Sequence, residues 1–482
     1  MCPRWISLVS AALAVACSQS LPAPSAPAAT VGGERAPLTA AAGPAAPVRR
    51  VLLVSCDTLR ADHLGCYGYE AETTPHLDAF ARRSLVFDQA YSTTSLTHPA
   101  LSAMMTGRMP DEIGMAGGNR QHMPDAVTTL AEVLHDAGVA TAAVVSNWVL
   151  RVPDDAPGTG IAQGFEDFDA RMDVRELNRD AFERTAPATT DAAIAWMRGR
   201  SAEAPFFLWV HYQDPHGPYV PPEELVRPVA EQPGERRLKV GKTHSGYAQL
   251  PSYQVLGEER QPAYYRARYD GEIRYFDREV GRLFDWLAGQ GWLDDTLIVF
   301  TADHGESLGE HDFWFCHGES LARELVHVPF LLHAPSLAPG RTAMLAGHLD
   351  VFATVLAALH VPAPASRGRN LLAPAPGAER VLVQTLFQRD AITRLDAVSD
   401  GRWHLIEQRK RTLLFDLAAD PGERTNLASE NPDVVHELKR AVKQFWKARP
   451  GPEVEAGPEM PLDAQAAEAL KQLGYLDGEE PK

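Results

Sequence analysis

Short apolar runs, each closing on a polar or acidic residue, recur along this chain with helix-like stretches between them, and they narrow its fold more than any other feature. The first is Arg49-Arg50-Val51-Leu52-Leu53-Val54-Ser55-Cys56-Asp57; comparable runs fall at 139–146, 206–212, 296–301, 328–333 and 381–384. A continuous apolar run of this length predicts a strand buried on both faces. Residues 129–137, 191–198, 268–289 and 350–359 carry the helix-like pattern. Strands that alternate with helices predict an α/β fold built on a mostly parallel sheet. Beyond about residue 365 the elements shorten. Residues 381–386, 392–398 and 403–408 are expected to form antiparallel strands, and 431–446 an amphipathic helix capped by Asn431 with Pro432 in its first turn. There is no internal repeat. The polar segment 222–262, scattered with Pro and Gly, is expected to be an insertion that shapes a cleft.

In an open parallel sheet, ligands gather at the carboxyl ends of the strands. Asp57 closes the first run, Asp214-Pro215-His216 follows the run ending at Tyr212, and Asp303-His304-Gly305-Glu306 follows the run through Thr301. Taken singly, each acid is a common turn or cap residue, and His216 a common turn-stabilising one. Ser92 to Pro110 is a hydroxyl-rich loop that runs into a short helix. Pro99 suits the first helical position, Leu101, Met104 and Met105 share a face, and Gly107 with Pro110 marks the stop. Thr97 is thus expected just ahead of a helix N-terminus whose N–H groups favour an anion. Its hydroxyl could attack a phosphoryl or sulfuryl centre if a metal lowers its pKa; the alternative is a cap.

These segments together resemble the sulfatase family. Thr97-His98-Pro99-Ala100-Leu101 with Met105-Thr106-Gly107-Arg108-Met109-Pro110 lies in register with its Cys/Ser-x-Pro-x-Arg signature and the Leu-Thr-Gly-Arg-x-Pro helix end. Cys56-Asp57 with Gly65-Cys66-Tyr67-Gly68 is similar to its first motif, 213–219 to its Asp-Pro-His-x-Pro-Tyr element, and 301–305 to its metal motif in the Asp-His version. Residues 347–351 and 412–428 match later elements, so the resemblance runs from about Val51 to Tyr475. It implies an alkaline-phosphatase-like α/β sandwich with a smaller C-terminal α/β domain. One divalent ion is implied on Asp57, Thr97, Asp303 and His304. Thr97 is then the nucleophile, with His216 and His317 acting on the ester. Three departures matter: Thr97 stands where sulfatases carry the Cys or Ser converted to formylglycine, Leu101 where they carry Arg, and Cys56 where they carry the first Asp. A Lys that sulfatases place after the metal motif is also absent, with His317 the nearest substitute. Thr cannot yield the aldehyde, so phosphate mono- or diester hydrolysis ranks ahead of sulfate-ester hydrolysis, and that ahead of a non-catalytic binder of an anionic glycan. The nitrogen ligand His304 favours manganese or zinc over calcium. His348 is expected to be structural.

A formal charge of −17 and the lack of a basic tract argue against nucleic acid and anionic membrane surfaces as partners. The expected substrate is a small-molecule, glycan or lipid ester. Residues 1–17 have the pattern of an export signal, and Ala14-Val15-Ala16-Cys17 resembles a bacterial lipoprotein box. This predicts lipid anchoring at Cys17 in a bacterial envelope, with Ser18 directing the protein to the outer membrane. An Ala/Pro-rich tether at 18–48, a catalytic domain at 49–364, a C-terminal subdomain at 365–449 and a tail at 450–482 complete the expected organisation. Cys56, Cys66 and Cys316 have no zinc-like spacing; a Cys56–Cys66 bridge is the one pairing considered.

Overall fold

The computed structural model describes residues 47–115, 118–119, 121–152, 158–172, 174–175, 182–242, 245–373, 382–387, 394–408, 411–451 and 454–458. The expected signal segment, the anchor Cys17, nearly all of the tether and the end of the tail through Tyr475 lie outside these residues.

The apolar runs do form strands, β1 (Arg50–Cys56), β3 (Ala140–Val145), β5 (Phe206–Tyr212), β6 (Thr296–Ala302) and β7 (Phe330–His333), and three strands that no run marked join them: β2 (Leu85–Tyr91), β4 (Asp167–Asp169) and β8 (Gly340–Gly347). They make one sheet in the order β8-β2-β7-β6-β1-β5-β3-β4. Every pairing is parallel except those of β7, which runs antiparallel to both β6 and β2. The sequence runs showed that residues 328–333 form a strand but carried no sign of its direction. β1 sits at the centre and is buried along its whole length.

Helices cover both faces. α1 (Pro75–Ala81), α4 (Ala186–Arg198) and α5 (Pro262–Gly289) pack Leu77, Ile194, Met197, Ile273 and Leu283 against Leu52, Val54, Phe206, Leu208 and Ile298. On the other face α2 (Thr97–Thr106), α3 (Leu130–Asp136) and α7 (His348–Ala358) set Leu101, Met104, Leu134, Phe352 and Val355 against Val51, Leu53, Trp209 and Val299. Alternate residues of β1 thus feed two separate cores, which is why its run is apolar throughout. At roughly 25 cal/mol per Å2 of apolar surface, this two-sided burial is the main favourable term in the fold.

The one-turn helix α6 (Arg323–Val326) precedes β7. A smaller antiparallel sheet follows α7, with β9 (Leu382–Phe387), β10 (Arg394–Ser399), β11 (Trp403–Gln408) and β12 (Arg411–Asp416) in sequential order. Residue 381 and residues 392–393 of the expected strands lie outside the described residues. Leu438 of α8 (Pro432–Lys447) packs on Val383, Val398, Leu405 and Leu414 of this sheet. Asn431 does occupy the cap position of α8, but its amide donates back to Leu427 O (3.1 Å) instead of capping. Cys56, Cys66 and Cys316 are free thiols. No helix among the described residues is long and apolar enough to cross a membrane.

Candidate active site and metal centre

Strand register builds the centre. β1 and β6 are parallel neighbours with Cys56 opposite Ala302, so the residues that follow, Asp57 and Asp303, emerge side by side at the same sheet end. Asp303 N–H donates to Cys56 O (3.1 Å), and Asp57 N–H to Tyr212 O (2.9 Å) on β5. Asp303 Oδ1 accepts Thr58 N–H (3.1 Å) and His304 N–H (2.6 Å), which fixes the carboxylate. The chain then turns at Gly305, whose N–H donates to Leu325 O (2.8 Å). A Cβ there would lie 2.0 Å from Glu324 O, so only glycine permits this approach.

Thr97 reaches the same point from α2. It is the first residue of that helix, not the residue ahead of it, and Pro99 is the third. Proline is tolerated there because none of the first four N–H groups has an intrahelical partner. The helix end nevertheless offers an anion less than expected. His98 N–H donates to Asn119 Oδ1 (2.9 Å), Pro99 has no N–H, and Ala100 N–H closes on Leu96 O (3.0 Å). Leu101, Met104 and Met105 lie in the core as the spacing predicted.

Thr97 Oγ1 lies 3.3 Å from His304 Nε2. His304 Nδ1 donates to Gly305 O (2.9 Å), which leaves the lone pair on Nε2. That nitrogen is 3.5 Å from Asp303 Oδ2 and 4.0 Å from Asp57 Oδ1. All four residues are fully buried, at 0% exposure. Burial pushes the His304 imidazole down to about 4, so it is neutral. Burial, then the neighbouring Asp303 charge, drives the Asp57 carboxyl well above its ordinary range, and burial raises Asp303 too. Asp57 Oδ1 and Asp303 Oδ2 have no hydrogen-bond partner. Two unpaired carboxylate oxygens buried beside a neutral imidazole are costly without a cation. Asp57, Asp303 and His304 present ligand atoms within 4.8 Å of one another, so the donor set fits a divalent ion.

The two remaining expected residues stand next to this cluster. The His317 ring centroid is 4.5 Å from that of His304 and 5.3 Å from that of His216. His216 Nδ1 donates to Gly217 O (2.7 Å). His317 Nδ1 bonds to Glu306 Oε1 (3.1 Å), whose other oxygen accepts the Tyr219 hydroxyl (3.1 Å). Burial pushes the Glu306 carboxyl up to about 8. The insertion covers this wall: Tyr253 and Gln254 each donate to Phe315 O (3.2 Å), two residues before His317.

Sequence reasoning gave no role to Asn147, Glu306 or Tyr219. Asn147 donates its amide to Asp57 Oδ2 while its own Oδ1 accepts Val149 N–H (2.7 Å). Its place just past the carboxyl end of β3, beside the ends of β5 and β1, was the available signal. Cys56 and Leu101, at positions where sulfatases carry polar residues, face the two apolar cores. His348 is structural as expected, with Nε2 bonding to Ala302 O (2.8 Å) at the end of β6.

Asp214 is not gathered with the cluster. It pairs with Glu272 of α5, and burial followed by mutual repulsion raises the Glu272 carboxyl; burial also raises Asp214. Unfolding lets both ionise near pH 4, so the stability this pair contributes is full below that point and lost as pH rises through the raised folded-state values. Glu272→Gln is therefore expected to gain about 1 kcal/mol over wild type at pH 8 and almost nothing at pH 4.5. Urea unfolding at both pH values checks this; an equal effect at both would sink it.

A family model described as Sulfatase matches residues 49–361. The chain is 28% identical to choline-sulfatase of Rhizobium meliloti over 424 residues, covering 74% of this chain and 78% of that protein. It is 27% identical to arylsulfatase A of Homo sapiens over 500 residues, covering 89% and 94%. Its fold superposes on the crystal structure of a phosphonate monoester hydrolase of Agrobacterium radiobacter with a TM-score of 0.65 at 20% identity, covering 83% of this chain and 95% of that one.

Proposed function

The chain belongs to the sulfatase family of ester hydrolases, and on that premise we propose that it cleaves phosphate mono- or diesters with Thr97 as nucleophile. The observation that carries the reading is the buried Thr97 hydroxyl, 3.3 Å from His304 Nε2 and next to the carboxylate oxygens that lack partners. A threonine has no oxidative route to the formylglycine aldehyde, so its hydroxyl has to act directly. That a phosphonate monoester hydrolase shares the fold is compatible with attack at phosphorus.

Asp57, Asp303, His304 and Thr97 Oγ1 would hold one divalent ion. The imidazole nitrogen favours manganese or zinc over calcium. When bound, such an ion supplies the positive charge that favours the Thr97 alkoxide. The Thr97 hydroxyl gives its proton to water as Oγ1 attacks phosphorus in line, the ester oxygen leaves with its bonding pair, and a phosphothreonine forms, still carrying its second ester group when the substrate is a diester. His317, held through Nδ1 by Glu306, gives the leaving oxygen its proton, and His216 orients the ester beside it. Water then attacks the phosphothreonine, releases phosphate or its monoester and restores the Thr97 hydroxyl. Asn147 keeps Asp57 oriented throughout.

Sulfate-ester hydrolysis is the second reading, favoured by the names of the relatives that match over most of both chains. Intact-mass measurement of the full chain after incubation with aryl phosphate mono- and diesters and aryl sulfate, with manganese or zinc, separates the two. A phosphoryl adduct on Thr97, absent in Thr97→Ala, is the expected result. Sulfate release without any phosphate turnover would overturn it. Lipid anchoring at Cys17 in a bacterial envelope, and a small-molecule, glycan or lipid ester as substrate, complete this reading.

A further inference from the structure

Residues 308–311, α6 and the turn after β12 meet around a cavity of about 500 Å3 that is separate from the Thr97 cluster. His311 and Glu324 line it, Glu423 lies between its lining residues Gly422 and Arg424, and the three present ligand atoms all within 4.8 Å of one another. His311 Nε2 stands 3.9 Å from Glu324 Oε2. The Glu324 side chain is only 8% exposed and lines the cavity, yet no arginine or lysine among the described residues pairs with it. Of the arginines that line the same cavity, Arg60 is occupied by Asp62 and Glu310, and Arg266 by Glu235. Burial, and the charges of Glu310 and Glu423, push the Glu324 carboxyl well up against the opposing pull of Arg60.

Glu423 is oriented as a ligand would be. His404 Nδ1 bonds to one of its oxygens and Arg323 N–H donates to the other (2.9 Å). Each oxygen keeps a further lone pair, and partners of this kind are what fix a metal-binding carboxylate. Imidazole with two carboxylates suits zinc or manganese better than calcium, with water completing the coordination in the remaining space.

We propose that His311, Glu324 and Glu423 form a second divalent-cation site, with zinc as its best-matched ion. Its three ligands come from the loop after β6, from α6 and from the small C-terminal sheet's final turn. The ion therefore ties that sheet to the loop that continues through Trp314–Cys316 to His317. It takes no part in bond breaking. Its role is to hold the segment that carries His317.

The test uses the full chain with the first centre removed by Asp303→Asn and His304→Ala, stripped with chelator and titrated with zinc chloride by calorimetry. One zinc per chain is expected to bind and to raise the melting temperature. Adding His311→Ala to this background should weaken binding at least tenfold and abolish the rise. His311 is partly exposed on a loop, so its removal leaves the core intact, and Glu324→Gln gives an independent check. Zinc affinity unchanged by His311→Ala, or no zinc bound at millimolar concentration, overturns the proposal. The second result would mean that Glu324 holds a proton instead. Because the Thr97 centre is absent from every protein compared, failure here is separate from failure of the phosphate-ester reading.

Discussion

Thr97→Ala is expected to lower kcat on an aryl phosphate ester by about 10⁴-fold or more, the scale seen when a nucleophile is deleted from an intact site. Two of the nearest hydroxyls offer no substitute. Ser92 Oγ donates to Thr94 O and Ser95 Oγ to Ser320 O (2.7 Å), so these two hydroxyls of the loop are tied to carbonyls. Thr97 contributes a long hydrogen bond to His304 and a contact with the Asp303 carboxyl, and its truncation leaves α2 anchored by Leu101, Met104 and Met105. Unfolding free energy should therefore change by no more than about 1–2 kcal/mol. Thr97→Ser keeps the hydroxyl and should retain part of the rate. Steady-state kinetics alongside thermal melts check both claims. Thr97→Ala turnover within tenfold of wild type would remove Thr97 from the mechanism.

Asp303→Asn should cost about 10³-fold in activity and release the ion from the Thr97 centre. The amide keeps an oxygen for the Thr58 and His304 N–H groups, so the loop is preserved. Its NH2, however, replaces Oδ2, the oxygen that has no partner and faces His304 Nε2 at 3.5 Å. The same change should stabilise the chelator-treated protein. Burial first and Asp303 second raise the Asp57 carboxyl, so metal-free wild type loses stability as pH rises from about 4 through these raised folded-state values. Removing the Asp303 charge lowers that penalty, by about 1–2 kcal/mol at pH 8. Metal content by elemental analysis and denaturant unfolding with chelator measure the two effects. Retained metal with lost activity would assign Asp303 another role.

Much of this was legible in the sequence because period and strand-end chemistry are local. β1, β5 and β6 announced themselves as apolar runs, and the acids behind two of them became neighbours through parallel register. The direction of β7 was hidden, since no local pattern encodes which way a short buried strand runs. β2 and β8 escaped notice for another reason: polar residues such as Asp88, Gln89, Arg341 and Thr342 interrupt them, as expected nearer a sheet edge. The site itself was read from strand ends, yet the Asn147–Asp57 and Glu306–His317 contacts join residues whose partners only the fold supplies. Asp214 looked equivalent to Asp57 in sequence, and α5 claimed it through Glu272.

The central position of β1 has a consequence for how the chain is made. Its two neighbours, β5 and β6, begin at Phe206 and Thr296, while β2 waits for β7 and β8 beyond Phe330. Such non-local pairings make folding slow and leave apolar edges open during synthesis. A chain truncated before residue 296 would present β1 with one bare edge, a template for pairing with another copy. The proposed metal ligands Asp57 and Asp303 are thus brought together only after well over half of the polypeptide has been made, so no early fragment carries both carboxylates.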